Sequence, residues 1–266
     1  MKQKYFDIMG DIHGCYWELV QLLTKLGYVL DGASFRPPEN RLAVFVGDIT
    51  SRGPNSLATL FLVKDMIRKG YALAVKGNHC DKIERWAMGR NVILSHGDDK
   101  TVREIENSKT ITKREIMDFF SSLPYFLVLD GGKLAVTHAA WKDSFLGQDP
   151  LSKKHRGHCL FGPTTGEFNQ HDLPVRIDWA INRHPSETDP IVVYGHQPYR
   201  EVRIINKTYG IDTGCVFGGS MTALRYPEME VVQVMAAREY ETLEGRFAPP
   251  LVSREGTEKD EPRRKT

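Results

Sequence analysis

Five short apolar runs in this chain each end in a turn carrying Asp, Asn or His, most of them with glycine beside it. Tyr5–Met9 leads into GDIHG, Leu42–Val46 into GDITSRGP, and Tyr71–Val75 into KGNH. Further along, Lys133–Val136 leads into THAA and Ile191–Tyr194 into GHQP. Runs of this length, bounded by turn residues, read as β-strands. Amphipathic segments lie between the early ones. Trp17–Leu26 sets Leu19, Val20, Leu22, Leu23 and Leu26 near helical spacing, and Ser56–Arg68 does so with Leu57, Leu60, Phe61 and Ile67. Strands alternating with helices predict an α/β layered domain. In open α/β sheets, ligands gather beyond the carboxyl ends of the strands, so the five turns are where function belongs.

The chain has 266 residues, enough to bury a substantial core in one large domain. With 36 Lys and Arg against 34 Asp and Glu, the net charge of +2 gives no case for general nucleic-acid or membrane binding. A small anionic substrate needs only local positive charge. No apolar run is long enough for a transmembrane helix or a signal peptide. The four cysteines, Cys15, Cys80, Cys159 and Cys215, lack CxxC spacing and read as free thiols in a reducing compartment. A cytoplasmic protein is expected.

Asp99–Ser122 is charged and helical, either a cap over the site or a plain solvated helix pair. Lys142–Asp189 is polar and rich in Gly, Pro and His, and is expected to loop between two core strands. Tyr209–Val234 returns to strand-like patterning, with Gly218-Gly219 expected to mark a hairpin turn. Composition shifts after Ala237, and residues 252–266 are almost all polar or charged. One domain over residues 1–237 with a disordered tail over 238–266 is expected.

The turns carry residue types that suit metal chemistry. Asp11 and His13 lie two residues apart in a loop at a strand end, where both can face one cation. Asp48 adds a carboxylate able to bridge two cations. Arg52, four residues on, has a planar fork suited to two phosphate oxygens at once. Asn78 offers a neutral amide oxygen, and the adjacent His79 can serve a leaving oxygen as proton donor. His138 and His196 complete a second cation's shell. Any one of these residues alone is a weak signal. The joint pattern is strong.

The order GDIHG, GDxxxRG, GNH, THA and GH resembles that of the calcineurin-like metallophosphoesterases, specifically the phosphoprotein-phosphatase type. Within that group, GDIHGCYWEL, GNHC, YGHQP and IDTGCVFGGSMTALRYPE resemble the bacterial bis(5′-nucleosyl)-tetraphosphatases of the PrpE type. The similarity spans Tyr5 to about Val234. It implies a four-layer αββα sandwich, two β-sheets between helices, with a dinuclear site at the strand ends. By the same resemblance, Asp11, His13 and Asp48 hold one metal. Asp48, Asn78, His138 and His196 hold the other. Arg52 clamps phosphate with help from Arg176, and His79 is the catalytic histidine. The implied metals are manganese or nickel, and the ligand types also admit iron or zinc.

One position departs from the family pattern. GDxxDRG places a second Asp where this chain has Ser51, and that Asp orients the catalytic His. A hydroxyl cannot stabilise an imidazolium as a carboxylate does, so His79 is expected to be a weaker acid–base partner here, unless Asp81 takes the role. The implied activity is asymmetric hydrolysis of diadenosine tetraphosphate to AMP and ATP by metal-activated water. The same motifs also suit a phosphatase acting on phosphoserine, phosphothreonine or phosphotyrosine proteins. Ser51 leaves open an inactive phosphate-binding module.

Overall fold

The computed structural model describes residues 5–170 and 174–242. The chain begins with β1 (Tyr5–Met9), α1 (Tyr16–Lys25), β2 (Val29–Asp31), β3 (Ser34–Arg36), β4 (Arg41–Phe45), α2 (Ser56–Arg68) and β5 (Ala72–Ala74). Next come α3 (Asn78–Ala87), α4 (Asp98–Asn107), α5 (Lys113–Ser122), β6 (Phe126–Leu129) and β7 (Leu134–Thr137). The rest comprises α6 (Arg156–Phe161), β8 (Thr164–Phe168), β9 (Pro174–Arg176), β10 (Ile191–Tyr194), β11 (Arg203–Ile205), β12 (Thr208–Gly210), β13 (Ser220–Tyr226) and β14 (Glu230–Met235).

Two five-stranded sheets form the centre, in the orders β14-β13-β1-β4-β5 and β11-β12-β10-β7-β6. In the first, β1, β4 and β5 run parallel; in the second, β7, β10 and β12 do. The two-residue side-chain period sorts each strand between layers. Phe6, Ile8, Val44, Leu134, Val136 and Val193 face inward between the sheets. Met9, Ala43, Phe45, Met221 and Ala223 face the other way, onto Leu19, Leu22, Leu60, Val63 and Ile83 of α1, α2 and α3. Beyond the second sheet, Ala135 and Val192 pack on Trp141, Phe145, Cys159 and Leu160. Helices, sheet, sheet and an outer cover make the four layers expected, although the outer cover is thin.

That cover is built from Lys142–Asp189, which is more than a loop: it contains α6, short 3-10 turns and the β8–β9 hairpin. Asp99–Ser122 divides into α4 and α5, the latter started by a capping box between Thr112 and Glu115. Val102, Ile105, Ile116 and Phe120 bury both helices against the core, so most of this segment is packing rather than cap. Gly218-Gly219 is not the hairpin turn. The β13–β14 hairpin turns after Tyr226, while Gly218 and Gly219 close a loop leading into β13 by donating to the Cys215 and Gly214 carbonyls. Residues 238–242, placed in the expected tail, are instead packed onto the domain. Tyr240 N–H donates to the Val216 carbonyl and its hydroxyl to Glu18, which ties down the stretch after Ala237. Residues 243–266 of that expected tail lie outside the described residues. Among the described residues no helix is long and apolar enough to cross a membrane.

A buried charge breaks the apolar alternation of β1. Asp7 accepts from Arg41 Nε and Nη2, Arg225 Nε and the Tyr28 hydroxyl at 2.8–3.1 Å, which joins β1, β4 and β13. Burial and the adjacent carboxylate push the Tyr28 hydroxyl well above its ordinary value. Removing one partner from such a cluster leaves the others buried without compensation. Asp7→Ala is therefore expected to lower stability by roughly 3–5 kcal/mol in urea unfolding, with turnover per folded molecule unchanged.

Candidate metal centre

Both sheets deliver the carboxyl ends of their parallel strands to one place. Asp11 follows β1, Asp48 follows β4, Asn78 follows β5, His138 follows β7, and His196 follows β10. Residues up to 185 positions apart touch there, as when His196 N–H donates to Asp11 Oδ2 at 2.9 Å. His138 Nε2 and His196 Nδ1 lie 3.1 Å apart, each 2.8 Å from Asn78 Oδ1. Asp48 Oδ2 stands 3.4 Å from His138 Nε2 and 3.7 Å from His13 Nε2. On the far side, His13 Nε2 is 4.0 Å from Asp11 Oδ2. The six side chains thus form two groups that share Asp48.

Tautomers explain why such a cluster suits cations. His138 Nδ1 is 3.0 Å from the Val46 carbonyl, and His13 Nδ1 is 3.3 Å from the Thr50 carbonyl. A carbonyl only accepts, so in each neutral ring the hydrogen sits on Nδ1 and Nε2 turns a lone pair inward. Asn78 Oδ1 and Asp48 Oδ2 add lone pairs of their own. Acceptors this close repel one another unless something positive lies among them. Burial lowers the pKa of His13 and of His196 well below the usual imidazole value, so neither ring takes up a proton readily to relieve the repulsion. Burial disfavours charge on Asp11 as well, which for a carboxyl makes its proton harder to lose. Burial, then the charges of Asp212 and Asp48, push its carboxyl well above the usual range, and its buried Oδ1 accepts no hydrogen bond among the described residues. Asp48 behaves oppositely: burial opposes its charge, but His138, His79 and His13 outweigh it and hold the carboxyl well below its ordinary value. The donor set of two carboxylates, three imidazoles and one amide fits a pair of divalent cations.

The backbone is bent to allow this. His13, Asp48 and His196 all have positive φ, at 48°, 39° and 72°, and so do Ser51 and Arg52 at 78° and 67°. Non-glycine residues in this region are uncommon, and their clustering marks a site whose surroundings hold it in place. Gly77 is required for another reason. A Cβ there would lie 2.1 Å from Asp48 Oδ1, the oxygen that accepts the His79 N–H at 2.9 Å.

The remaining expected residues lie around this centre. Arg52 packs its guanidinium 5.3 Å over the Phe217 ring, with Glu241 at 3.7 Å, and its charge reaches Asp11 and His13. Arg176, at the end of β9, lines a small cavity together with His196 and donates to the Phe161 carbonyl. His79 opens α3, buried, with its ring edge-on to His13 at 5.1 Å. The orienting role offered to Asp81 is not where the structure places it. His79 does have a carboxylate partner, and it is neither residue 51 nor Asp81. Asp98, first residue of α4, brings Oδ1 to 2.7 Å from His79 Nδ1. Asp81 is bound by Arg156 instead, and the Ser51 hydroxyl makes no hydrogen bond among the described residues. A second residue that the motifs did not single out is Asp212, buried just beyond β12, the sixth parallel strand end. Burial raises its carboxyl to about 6. The IDTG turn after a strand carries the same signal as GDIHG and could have drawn attention to it.

Comparison with known proteins agrees with this geometry. The calcineurin-like phosphoesterase family matches residues 5–228. The chain belongs to that family. A relative from Anoxybacillus flavithermus, bis(5′-nucleosyl)-tetraphosphatase PrpE [asymmetrical], is 43% identical over 239 residues, covering 88% of this chain and 96% of its own. The protein of the same name from Halalkalibacterium halodurans is 43% identical, covering 86% and 93%. Among solved structures, a putative diadenosine tetraphosphatase superposes with a TM-score of 0.61 at 22% identity, covering 88% of this chain and 95% of that one. A cold-active protein-tyrosine phosphatase from Shewanella does so at 0.58 and 15% identity, covering 90% and 79%. These two structures share the fold. Calcineurin-like phosphoesterases are metal-dependent hydrolases with dinuclear divalent centres, and this chain is one of them. Gly77→Ala is expected to weaken metal retention roughly 10–100-fold, by displacing the oxygen of Asp48 that His79 N–H holds, while far-UV circular dichroism stays native. Metal analysis after dialysis against a graded chelator series measures this.

Proposed function

We propose that this enzyme hydrolyses dinucleoside tetraphosphates asymmetrically, taking diadenosine tetraphosphate to AMP and ATP. One observation carries the choice of substrate. The relatives that bear this activity in their names are 43% identical over 86–88% of the chain, against 15% for the tyrosine phosphatase that shares the fold. In this reading Asp11, His13 and Asp48 hold one cation, and Asp48, Asn78, His138 and His196 hold the second. Manganese or nickel follows from the resemblance, and the nitrogen and oxygen donors also admit iron or zinc. When bound, the cations supply an activated water and positive charge at the phosphorus.

The protein's own side chains do the rest. Arg52 offers two parallel N–H donors to the oxygens of the phosphoryl group as charge builds on them. Arg176 approaches from the His196 side as a second anchor. His79, with Nδ1 committed to Asp98, keeps Nε2 for the departing oxygen, which leaves as a nucleotide phosphate and gains from a proton donor. Next to Arg52 lies a cleft of about 300 Å³ lined by Pro54, Lys100, Arg238 and Tyr240. Glu239 also lines the cleft, and the Glu241 carboxylate stands 3.7 Å from both Arg52 and Lys100, so these two cations already share an anion. A chain of phosphates extending from the scissile bond would find cations along that path, and Tyr240 offers a ring for a base. The four cysteines are all buried and free, which accords with a cytoplasmic location.

Diadenosine tetraphosphate and a phosphopeptide assayed side by side test the reading. The account expects AMP and ATP as products and at least about a ten-fold preference in kcat/KM for the nucleotide. In the Lys100→Ala/Arg238→Ala double variant, KM for the tetraphosphate should rise roughly three- to ten-fold, the effect of one or two exposed ion pairs, with an aryl phosphate unaffected. A phosphopeptide preference of the same size would overturn it.

A further inference from the structure

The hydrogen bond between Asp98 and His79 comes from an unexpected part of the chain. In the GDxxDRG pattern the carboxylate that steadies the catalytic histidine sits in the loop after β4. Here that loop carries Ser51, and the carboxylate arrives from the start of α4, 47 positions later. We propose that Asp98 is the positioning residue of this enzyme's general acid, fixing the ring orientation and tautomer of His79 in place of the missing loop carboxylate.

Three features of the site support the assignment. Asp98 is fully buried and both of its oxygens are engaged. Oδ1 meets His79 Nδ1 at 2.7 Å, while Oδ2 accepts from Lys82 Nζ at 2.8 Å and Ser95 N–H at 3.3 Å. A fully buried carboxylate whose second oxygen is held by the Ser95 N–H of its own turn, with or without Lys82, cannot swing away, so it fixes the ring it touches. A carboxylate is also only an acceptor, so it keeps a hydrogen on Nδ1; the imidazolium then gives its Nε2 hydrogen to the departing oxygen and is left as the Nδ1–H tautomer.

The second feature is how α4 is fixed to the loop that lost its acid. Ser51 N–H donates to Thr101 Oγ1 at 3.1 Å and to Ser56 Oγ at 3.0 Å, and Thr101 in turn donates to Ser56 Oγ at 2.8 Å. Gly97 packs so tightly that a Cβ would sit 2.2 Å from the Arg52 nitrogen. These contacts set the first turn of α4 against residues 51–56, which brings Asp98 to the histidine. The third is the Ser51 side chain itself. It is fully buried, yet its hydroxyl makes no hydrogen bond among the described residues, so it contributes nothing to His79 by that route.

A plainer role for Asp98 would be to join α3 to α4 through Lys82. The two roles separate by experiment. The proposal rests on the reading of the site as a phosphohydrolase with His79 as proton donor, so the assay compares two aryl phosphates. Phenyl phosphate has a poor leaving group that needs the proton, whereas 2,4-dinitrophenyl phosphate has a good one that does not. In Asp98→Asn, kcat on phenyl phosphate should fall roughly 100-fold while kcat on the dinitrophenyl ester changes little, and KM should hold for both. The ratio of the two rates is independent of how much of the variant is folded. Lys82→Met breaks the α3–α4 link and keeps the His79–Asp98 bond, so it should leave the ratio at the wild-type value.

Equal losses on both esters in Asp98→Asn, or the same change of ratio in Lys82→Met, would overturn the assignment. A readout independent of turnover is the downfield proton resonance of His79 Nδ1–H. It should be present in the wild type and in Lys82→Met and absent in Asp98→Asn, and its absence from the wild type would also overturn the assignment. Wild-type protein inert toward both esters with every divalent metal, but showing that resonance, would count against the phosphohydrolase reading and leave the placement of Asp98 intact.

Discussion

Much of this structure depends on one buried carboxylate. Asp48 lies between two groups of lone pairs, with His13 on one side and His138, Asn78 and His196 on the other. Its Oδ1 takes the His79 N–H, which leaves Oδ2 for the centre of the site. Placing it there requires a left-handed backbone at residue 48 and a glycine at 77 to leave room. It also requires two separate sheets to aim their strand ends at one point. The inter-sheet core of Ile8, Val44, Val136 and Val193 therefore does more than stabilise the fold, because it sets the register between the two halves of the site.

The cost of the arrangement shows in the same residues. Positive φ values at His13, Asp48, Ser51, Arg52 and His196, and a buried Asp11 oxygen without a hydrogen bond among the described residues, are each unfavourable in isolation. A folded chain tolerates them when packing holds the loops, and cations relieve the crowding of lone pairs. Strain concentrated at strand-end loops, above a well-packed interior, is how a rigid scaffold presents reactive groups. Arg52 then stands by the cleft lined by Lys100 and Arg238, and Arg176 by His196.

The six residues that converge between the sheets are legible in the sequence because each sits within four residues of a strand end, where apolar patterning and a turn identify the place. The layered fold followed from the same pattern. Contacts made by distant segments were not readable. Asp98 lies in a charged helical stretch with no local sign of its partner, and only the packing of α4 against residues 51–56 brings it to His79. Asp212 is legible in principle, since IDTG ends a strand as the other turns do. Residues 238–242 read as tail on composition, yet Tyr240 reaches back to Glu18 across 222 positions. Gly218-Gly219 has hairpin chemistry, and the hairpin lies elsewhere because these glycines serve a loop closed onto Cys215 and Gly214.

Anomalous diffraction from crystals grown with manganese tests the central claim directly. The account predicts two peaks roughly 3.5–4 Å apart, bridged by Asp48, one bounded by Asp11 and His13 and the other by Asn78, His138 and His196. A single peak, or two that do not share Asp48, would contradict it.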